Sequence, residues 1–279
     1  MSGEHWHLLR HVKNFQIALN SNKLLPLVFI TGASSGIGQA LAWHFYQSGY
    51  RLALAARRTE DIKIWAKTKG LDAARYSVYS ADVVSTKSIV AAAHLCIAQN
   101  GVPDIVIANA GISIGMDTAI FEDIEVLANT FQTNNIGMAA TFHPFISRMV
   151  HRNSGTLVGI GSVAGIRGLP GHGAYCASKA AVISYCESLR GELRPYGLKV
   201  VTICPGYIDT PLTKENRYSM PFLMHPRDFA KRAFSAITVG AAYSVIPWQM
   251  GIVAKILKVL PIFLFDKILS GRQRKLRKP

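Results

Sequence analysis

The sequence predicts an α/β fold in which helices cover both faces of a doubly wound parallel sheet. Short apolar runs typical of buried strands alternate with helical patterns over most of the chain. The first apolar run, residues 27–30, leads into a glycine-rich stretch, residues 31–38, and then into a helical pattern. Because neither a linker nor an internal repeat separates these elements, we expect one domain over residues 25–247.

The composition is that of a globular protein, with 49% hydrophobic and 17% charged residues in a chain of 279. A formal net charge of +15 would attract phosphate-bearing molecules, anionic lipids or nucleic acid. The net charge alone does not indicate which of these the protein binds. The four cysteines are scattered without a C-x-x-C pair, so we expect reduced thiols and a cytoplasmic protein.

Residues 1–24 are predicted to form an N-terminal arm, with basic side chains where a secretory signal would have an apolar core. The arm contains His5, His7 and His11. We expect a surface or capping role for them and no metal site.

The glycine-rich stretch combines a tight turn with a helix start. Gly32 can adopt the backbone angles of such a turn because it has no Cβ. Gly36 would let a ligand approach the main chain, and Gly38 would let the helix pack closely. The helix N-terminus offers free N–H groups to a pyrophosphate, although an ordinary strand-to-helix turn could also carry these glycines. The predicted cofactor contacts here are Gly32, Ser34, Ser35, Gly36, Ile37 and Gly38.

The second predicted strand, residues 51–55, is followed by Ala56, Arg57 and Arg58, with no acidic residue. An acid at this position would accept a hydrogen bond from the 2′-hydroxyl of NAD, whereas arginine can bind a 2′-phosphate in bidentate fashion. We therefore expect NADP(H) to be preferred over NAD(H). The alternative is that the two arginines only cap a solvated loop.

The third and fourth strands are predicted at residues 77–81 and 105–108. Asp82, which precedes Val83, could accept a hydrogen bond from an adenine amino group or cap the helix that begins near Thr86. Small residues after the fourth strand leave room for a cofactor. The predicted cofactor contacts after these two strands are Asp82, Val83, Asn109, Ala110 and Gly111.

Residues 127–150 show a long helical pattern that contains Asn134 and Asn135. Asparagine is unfavourable inside a helix, which indicates a buried hydrogen-bonding role. The fifth strand, residues 156–160, leads to Gly161 and Ser162.

Tyr175 and Lys179 are four residues apart in the next helical pattern, so they share one helix face. An ammonium near a phenol favours the phenolate, and we expect Lys179 to lower the pKa of Tyr175 into the range of an acid/base catalyst. An exposed Tyr–Lys pair would show the same spacing.

The sixth strand, residues 199–204, precedes a long loop, and residues 243–246 form the last strand. Apolar residues of the loop could form a flap over an apolar substrate or could simply pack. These residues are Met220, Phe222, Leu223 and Met224. The predicted cofactor contacts after the sixth strand are Pro205, Gly206, Ile208 and Thr210.

Over about residues 26–247 the chain resembles the classical short-chain dehydrogenase/reductase family, which has a Rossmann-type fold. The resemblance rests on motifs that occur in the family's order: Thr31-Gly32-x-x-x-Gly36-x-Gly38, Asn109-Ala110-Gly111, Ser162, Tyr175-x-x-x-Lys179 and Pro205-Gly206. It implies that Tyr175 is the general acid or base, while Lys179 lowers its pKa and holds the nicotinamide ribose. It also implies that Ser162 binds the substrate oxygen and that Asn134 anchors a water in a proton relay. The neighbouring Asn135 makes the match of Asn134 to the family's asparagine ambiguous.

The function expected from this resemblance is reversible hydride transfer between NADP(H) and a carbonyl or secondary alcohol on an apolar, lipid- or steroid-like molecule. The alternative is a non-catalytic nucleotide-binding scaffold, which the intact Ser/Tyr/Lys set disfavours. Since oligomers are common in the family, we expect a dimer or tetramer.

Residues 248–279 form an amphipathic, basic extension without an apolar stretch long enough to span a bilayer. We expect a helix that makes peripheral membrane contact. The alternatives are packing on a partner subunit or covering the substrate pocket. No motif supports nucleic acid binding. The apolar residues are Ile252, Ile256, Val259, Phe263 and Leu264, and the basic residues are Lys255, Lys258, Lys267, Arg272, Arg274, Lys275, Arg277 and Lys278.

Overall fold

The computed structural model describes residues 25–214, 216, 218–271, 274, 275 and 277. The predicted N-terminal arm, with its three histidines, lies outside the described residues, as do Arg272 and Lys278 of the predicted basic tail.

The described strands form one parallel sheet with the order β3-β2-β1-β4-β5-β6-β7. The order reverses between β1 and β4, which pair directly, with Val28 opposite Ile105. In sheets of this kind, ligands bind in the crevice at the carboxyl ends of the strands beside such a reversal. The strands are β1 (Leu27–Thr31), β2 (Arg51–Ala56), β3 (Tyr76–Ser80), β4 (Ile105–Ala108), β5 (Thr156–Ile160), β6 (Lys199–Pro205) and β7 (Tyr243–Ile246).

Helices cover both faces of the sheet and bury two apolar cores, one on each side. Phe29 faces one core and Ile30 the other, because successive side chains of a strand point to opposite faces. This arrangement confirms the predicted fold class. The helices are α1 (Gly36–Gln47), α2 (Thr59–Thr68), α3 (Thr86–Asn100), α4 (Asp123–Phe131), α5 (Gly137–His151), α6 (Gly173–Leu193), α7 (Pro226–Val239), α8 (Trp248–Val259) and α9 (Ile262–Leu269).

The helical pattern over residues 127–150 is not one regular α-helix. Its middle, Gln132–Ile136, is a π-helical turn between α4 and α5. The turn contains both predicted asparagines, and their side chains bond to other elements instead of pointing to solvent. π-Helical turns occur frequently at functional sites.

The C-terminal extension is two helices, not the single helix expected. α8 ends before Leu260, which has extended backbone angles, and Pro261 follows. A residue before proline is disfavoured in the helical region, so the break follows from the sequence. Within the part of the chain that the structure describes, no helix has the length and apolar character needed to cross a bilayer.

Candidate active site

The glycine turn lies against the end of β4. Gly32 has φ +65° and Gly36 has φ +57°, so both adopt the left-handed conformation that favours glycine. Asn109 donates through Nδ2 to the carbonyl oxygen of Thr31 (2.9 Å). In return, Thr31 Oγ1 accepts from the backbone N–H groups of Asn109 and Ala110, each at 3.1 Å. The buried Thr31 thus joins the two predicted cofactor-binding segments, a role that the sequence reasoning missed.

The N-terminus of α1 is suited to a phosphate group. Its N-cap, Ser35, makes no side-chain capping bond, and the first turn contains no acidic residue. Arg58 Nη2 lies 3.3 Å from Ser34 Oγ and 3.5 Å from Ser35 Oγ, while Arg58 Nε donates to Asp61 (2.7 Å). These contacts bring a guanidinium to the glycine turn, where the backbone N–H groups of the helix end are free of an intrahelical partner. Arg57 is exposed beside it, and Ile37 is half-buried in the first turn.

Asp82 does not cap the following helix. The N-cap of α3 is Ser85, whose side chain accepts from the N–H of Ser88. Asp82 Oδ1 accepts from the N–H of Val84 (3.1 Å), so its carboxylate stabilises the turn after β3. The capping alternative is therefore wrong, whereas the adenine contact stays a prediction for Asp82 and for the buried Val83.

Asn134, not Asn135, faces the cofactor crevice. Its amide accepts from the N–H of Ile112 (2.8 Å) and donates to the carbonyl oxygen of the same residue (3.0 Å). A Cβ added to Gly111 would lie 3.1 Å from Asn134 Oδ1 and 3.6 Å from Lys179 Nζ. Three predicted site residues are therefore adjacent, and the asparagine among them is Asn134.

Ser162 and Tyr175 line one cavity, and the Ser162 hydroxyl lowers the pKa of Tyr175. Burial has the larger effect and raises the pKa of Tyr175 to about 12. Burial also lowers the pKa of Lys179 to about 8, and Lys179 Nζ donates to the carbonyl oxygen of Ile160 (2.7 Å). The expectation that Lys179 brings the pKa of Tyr175 toward neutrality is not met in this arrangement, because burial is the largest effect on the phenol and Lys179 is not among the groups that shift its pKa.

The predicted residues after β6 lie at the same edge of the sheet. Gly206 donates from its N–H to the carbonyl oxygen of Ile246 (2.8 Å), so the chain that leaves β6 after Pro205 still runs alongside β7. Ile208 pairs with Met224 in an isolated bridge, and the buried Thr210 lies against Gly36, whose added Cβ would be 3.4 Å from Thr210 Cβ. This loop and the glycine turn are therefore in contact.

A cavity of about 540 Å³ extends from Ser162 and Tyr175. Its volume lies within the range of small-molecule sites. One face of helix α8 lines this cavity, which is the packing that the pocket-covering alternative for the extension predicts. The apolar side chains that α8 and α9 supply to the cavity are Met250, Val253, Ala254, Leu257 and Leu269.

The long loop after β6 also covers the cavity, but not with the residues predicted as a flap. It contributes Leu212, Tyr218 and Pro221 among others, whereas Phe222 and Leu223 are about half exposed. Of the two alternatives for these four residues, packing describes Met224, because the end of the loop is bound to the sheet edge. Met224 donates from its N–H to the carbonyl oxygen of Tyr207 (2.9 Å), and its own carbonyl oxygen accepts from the N–H of Asp209 (3.0 Å).

The sequence reasoning also missed Ser178, whose Oγ accepts a hydrogen bond from Asn134. It missed a second pair as well, His172 and Tyr218, which line the cavity with Nε2 and the hydroxyl 3.1 Å apart. Ser178 follows Tyr175 by three residues, so helical spacing could have placed it next to the catalytic face. The other pair joins α6 to a loop of irregular structure, for which periodicity gives no signal.

Comparison with known proteins places the chain in a family. A sequence model described as short chain dehydrogenase matches residues 26–220, more than half of the chain. An uncharacterized oxidoreductase of Myxococcus xanthus is 37% identical over 237 residues, which are 85% of this chain and 93% of that protein. A relative from Anopheles gambiae, dehydrogenase/reductase SDR family protein 7-like, is 35% identical over 195 residues. These are 67% of this chain but only 60% of that relative.

Solved structures show the same fold. A short-chain dehydrogenase from Sphingobium yanoikuyae in complex with NADPH matches with a TM-score of 0.74 at 23% identity, over 91% of this chain and 99% of that chain. ElxO with NADP bound matches with a TM-score of 0.73 at 24% identity, over 80% of this chain and 97% of that chain. With the family match and the relatives above, the chain belongs to the short-chain dehydrogenase/reductase family and is an oxidoreductase of the kind that acts on CH–OH groups.

Proposed function

We propose that this protein catalyses hydride transfer between NADP(H) and a carbonyl or secondary alcohol carried by an apolar molecule. The observation that carries the proposal is the position of Ser162 and Tyr175 in the wall of a cavity whose remaining lining is largely apolar. Such a cavity would bind an apolar molecule and leave its oxygen to the two hydroxyl groups.

In the direction of reduction, a nicotinamide cofactor held by the glycine turn and the segment after β4 would supply the hydride to the carbonyl carbon. The hydroxyl of Tyr175 donates its proton to the substrate oxygen, and Ser162 donates a hydrogen bond to the same oxygen as negative charge develops there. Lys179, with Nζ near Gly111 at the crevice, would contribute positive charge to a bound cofactor. Asn134 holds the loop that bears Gly111.

The preference for NADP(H) is supported by Arg58 beside Ser34 and Ser35 and by the absence of an acidic residue directly after β2. Guanidinium groups bind phosphate strongly. Two structural neighbours have NADP or NADPH bound, and a third, a 3-ketoacyl reductase from Brucella melitensis, has NADH bound. The fold therefore accommodates both cofactors, and the preference rests on the arginines.

Fluorescence titration of the purified protein with NADPH and NADH tests the proposal. We expect tighter binding of NADPH and loss of this preference in the Arg57→Ala, Arg58→Ala double variant. Tyr175→Phe should retain cofactor binding and lose reduction of apolar ketones. Near-normal turnover in Tyr175→Phe would contradict the catalytic assignment, and a protein that binds a cofactor without any turnover would support the scaffold alternative.

We also propose that the extension contacts an anionic membrane through the outer face of α8 and α9. Trp248 is 63% exposed and Val259 is 80% exposed, while the inner face of α8 covers the cavity. Lysines 255, 258 and 267 are exposed on the same two helices. Apolar side chains interspersed with lysines are typical of helices that lie in the headgroup region. The exposed apolar residues of this outer face are Trp248, Ile252, Ile256, Val259, Ile262, Phe263, Leu264 and Ile268.

Co-sedimentation with phosphatidylcholine vesicles, with and without phosphatidylglycerol, tests the membrane contact. Replacing Ile252 and Ile256 by serine should reduce binding to the anionic vesicles about fivefold. A control that replaces Ile64 and Val239 by serine removes two exposed apolar residues that lie outside the extension, on α2 and α7. Equal binding by both double variants would contradict the membrane proposal.

A dimer or tetramer is part of the proposal and is supported by exposed apolar residues on adjacent helices, Ile124 and Leu127 on α4 and Tyr185 on α6. Light scattering coupled to size exclusion would report the mass.

A cytoplasmic location is likewise proposed. It is supported by four free, buried cysteines.

A further inference from the structure

The cavity that Ser162 and Tyr175 line also contains positively charged side chains. Lys275 lines it, although this residue lies close to the end of the chain and far in sequence from the catalytic residues. Lys275 Nζ donates to Ser113 Oγ over 2.8 Å, and Ser113 lines the same cavity. A second cation, Arg167, also lines the cavity. Among the described residues of the lining, none is acidic.

Lys275 is held by contacts on both sides of it in the sequence. Arg277 forms a bidentate ion pair with Asp123, with Nε–Oδ2 and Nη2–Oδ1 distances of 2.8 Å each. The Asp123 side chain is only 4% exposed and also accepts from the N–H of Asp117 (2.6 Å). Arg274 Nη1 lies 3.6 Å from Asp117 Oδ2. Bidentate arginine–carboxylate pairs are geometrically specific, so the segment containing residues 274, 275 and 277 has a defined position against the loop after β4.

The groups around Lys275 are compatible with its positive charge. His172 Nδ1 lies 3.2 Å from the carbonyl oxygen of Pro170, which can only accept, so Nδ1 carries a proton. Nε2 lies 3.1 Å from the hydroxyl of Tyr218. Burial lowers the pKa of His172 and the charge of Lys275 lowers it further, as expected for a nearby cation.

Ser113 is arranged to assist an anion. Because its oxygen accepts from Lys275, its own proton remains available to donate to a ligand oxygen. An ammonium and a hydroxyl donor side by side match one carboxylate, whereas the doubly charged phosphate would lose more hydration energy in a largely apolar cavity.

We propose that Lys275 and Ser113, in the wall of the same cavity, bind the carboxylate of an otherwise apolar substrate whose carbonyl or alcohol group reaches Ser162 and Tyr175. This inference rests on the proposed function and deepens it, since it names the substrate class as oxo- or hydroxy-carboxylic acids with an apolar chain. Lys275 is then a specificity-determining residue that the C-terminal segment contributes to the site.

The test is the binding of decanoate and of decan-1-ol to the full chain by isothermal titration calorimetry without cofactor. We expect decanoate to bind at least about tenfold more tightly than the alcohol. Lys275→Ala should remove this preference and leave the binding of the alcohol unchanged. Arg277→Ala should weaken decanoate binding as well, because it releases the segment that carries Lys275. Lys267→Ala, which removes the same charge from the exposed face of α9, should have no effect.

Equal binding of the two probes, absence of decanoate binding, or a full preference in Lys275→Ala would overturn the proposal. A parallel assay of NADPH-dependent reduction with an oxo-fatty acid and its methyl ester separates this failure from failure of the proposed function. Reduction of both at equal kcat/KM would leave the oxidoreductase intact without a carboxylate site. Preferential decanoate binding without reduction of either substrate would leave the site intact without the proposed reaction.

Discussion

Asn134 Nδ2 donates a hydrogen bond of 2.9 Å to Ser178 Oγ, and this bond joins the π-helical turn to the helix that carries Tyr175 and Lys179. Ser178 Oγ in turn donates to the carbonyl oxygen of Tyr175 (2.8 Å). Since Asn134 also exchanges two hydrogen bonds with Ile112, one amide connects the loop after β4 with the catalytic helix. The relative position of the cofactor crevice and the reacting hydroxyl therefore depends on this side chain.

We expect Asn134→Ala to lower the free energy of unfolding by about 2–3 kcal/mol, because it leaves the N–H and C=O groups of Ile112 without their partners. Asn135→Ala is the matched control. Asn135 donates to the carbonyl oxygen of Ser178, but its Oδ1 is buried with no hydrogen-bond partner among the described residues. Its removal should therefore cost about 1 kcal/mol or less. Urea denaturation measures both, and equal losses would contradict the assignment.

Lys179 is expected to reduce stability at neutral pH. Burial lowers its pKa from 10.5 to about 8, so the folded state binds this proton less tightly than the unfolded chain does. The cost of the buried ammonium is complete below about pH 8 and disappears above about pH 10.5. Lys179→Met should therefore gain up to about 3 kcal/mol relative to the wild type at neutral pH while losing activity.

Thermal unfolding of both proteins between neutral pH and about pH 10 checks this expectation. The Lys179→Met variant also lacks the hydrogen bond from Lys179 to Ile160, which lowers its free energy of unfolding by an amount that does not depend on the charge of Lys179. The decisive observation is thus the change in the Tm difference. The advantage of the variant should shrink as the pH rises, and a constant difference would contradict a buried ammonium.

Much of the fold follows from local patterns. β4 and β5 have the bounds predicted from their continuous apolar runs, and Gly32 has the positive φ expected of a tight turn. These features depend on a few consecutive residues. Helix α7 was not predicted, although Pro226 at its first position and Gly240 after its end are common boundary signals.

The parts of the candidate site that were missed depend on contacts between distant segments. The pKa of Tyr175 is raised because the surrounding fold buries the phenol, which the spacing to Lys179 does not show. Likewise, the contribution of α8 and Lys275 to the cavity depends on where the extension packs. An amphipathic pattern predicts that one face is buried, but not against which residues.

Arg58 is expected to contribute more to NADPH binding than Arg57, because its Nη2 already lies near Ser34 and Ser35. Arg58→Ala should raise the Kd for NADPH about tenfold to a hundredfold and leave the Kd for NADH nearly unchanged. Lys63→Ala, which removes another exposed cation from α2, is the control and should change neither Kd. An equal weakening of both cofactors by Arg58→Ala would show that this residue does not bind the 2′-phosphate.

Arg167 connects the C-terminal extension to the body of the protein. Its Nη1 donates to the carbonyl oxygens of Leu257 (2.9 Å) and Leu260 (3.2 Å) at the end of α8, and its Cζ lies 4.0 Å from the centre of the Phe265 ring. Here a planar guanidinium binds helix-end carbonyls and stacks on an aromatic ring at once, whereas a lysine of equal charge cannot do both. The position of α8 over the cavity should therefore depend on the shape of this side chain as well as its charge.

We expect Arg167→Lys to increase amide hydrogen exchange in α8 and α9 about tenfold or more while β4 remains protected, because only the attachment of the extension is weakened. The KM for an apolar ketone should rise with little change in kcat, since Tyr175 and Ser162 are not altered. Arg190→Lys, at an exposed ion pair with Glu187, is the matched control. If exchange in α8 is unchanged in Arg167→Lys, the extension is held by its apolar inner face alone, and the guanidinium does not determine access to the cavity.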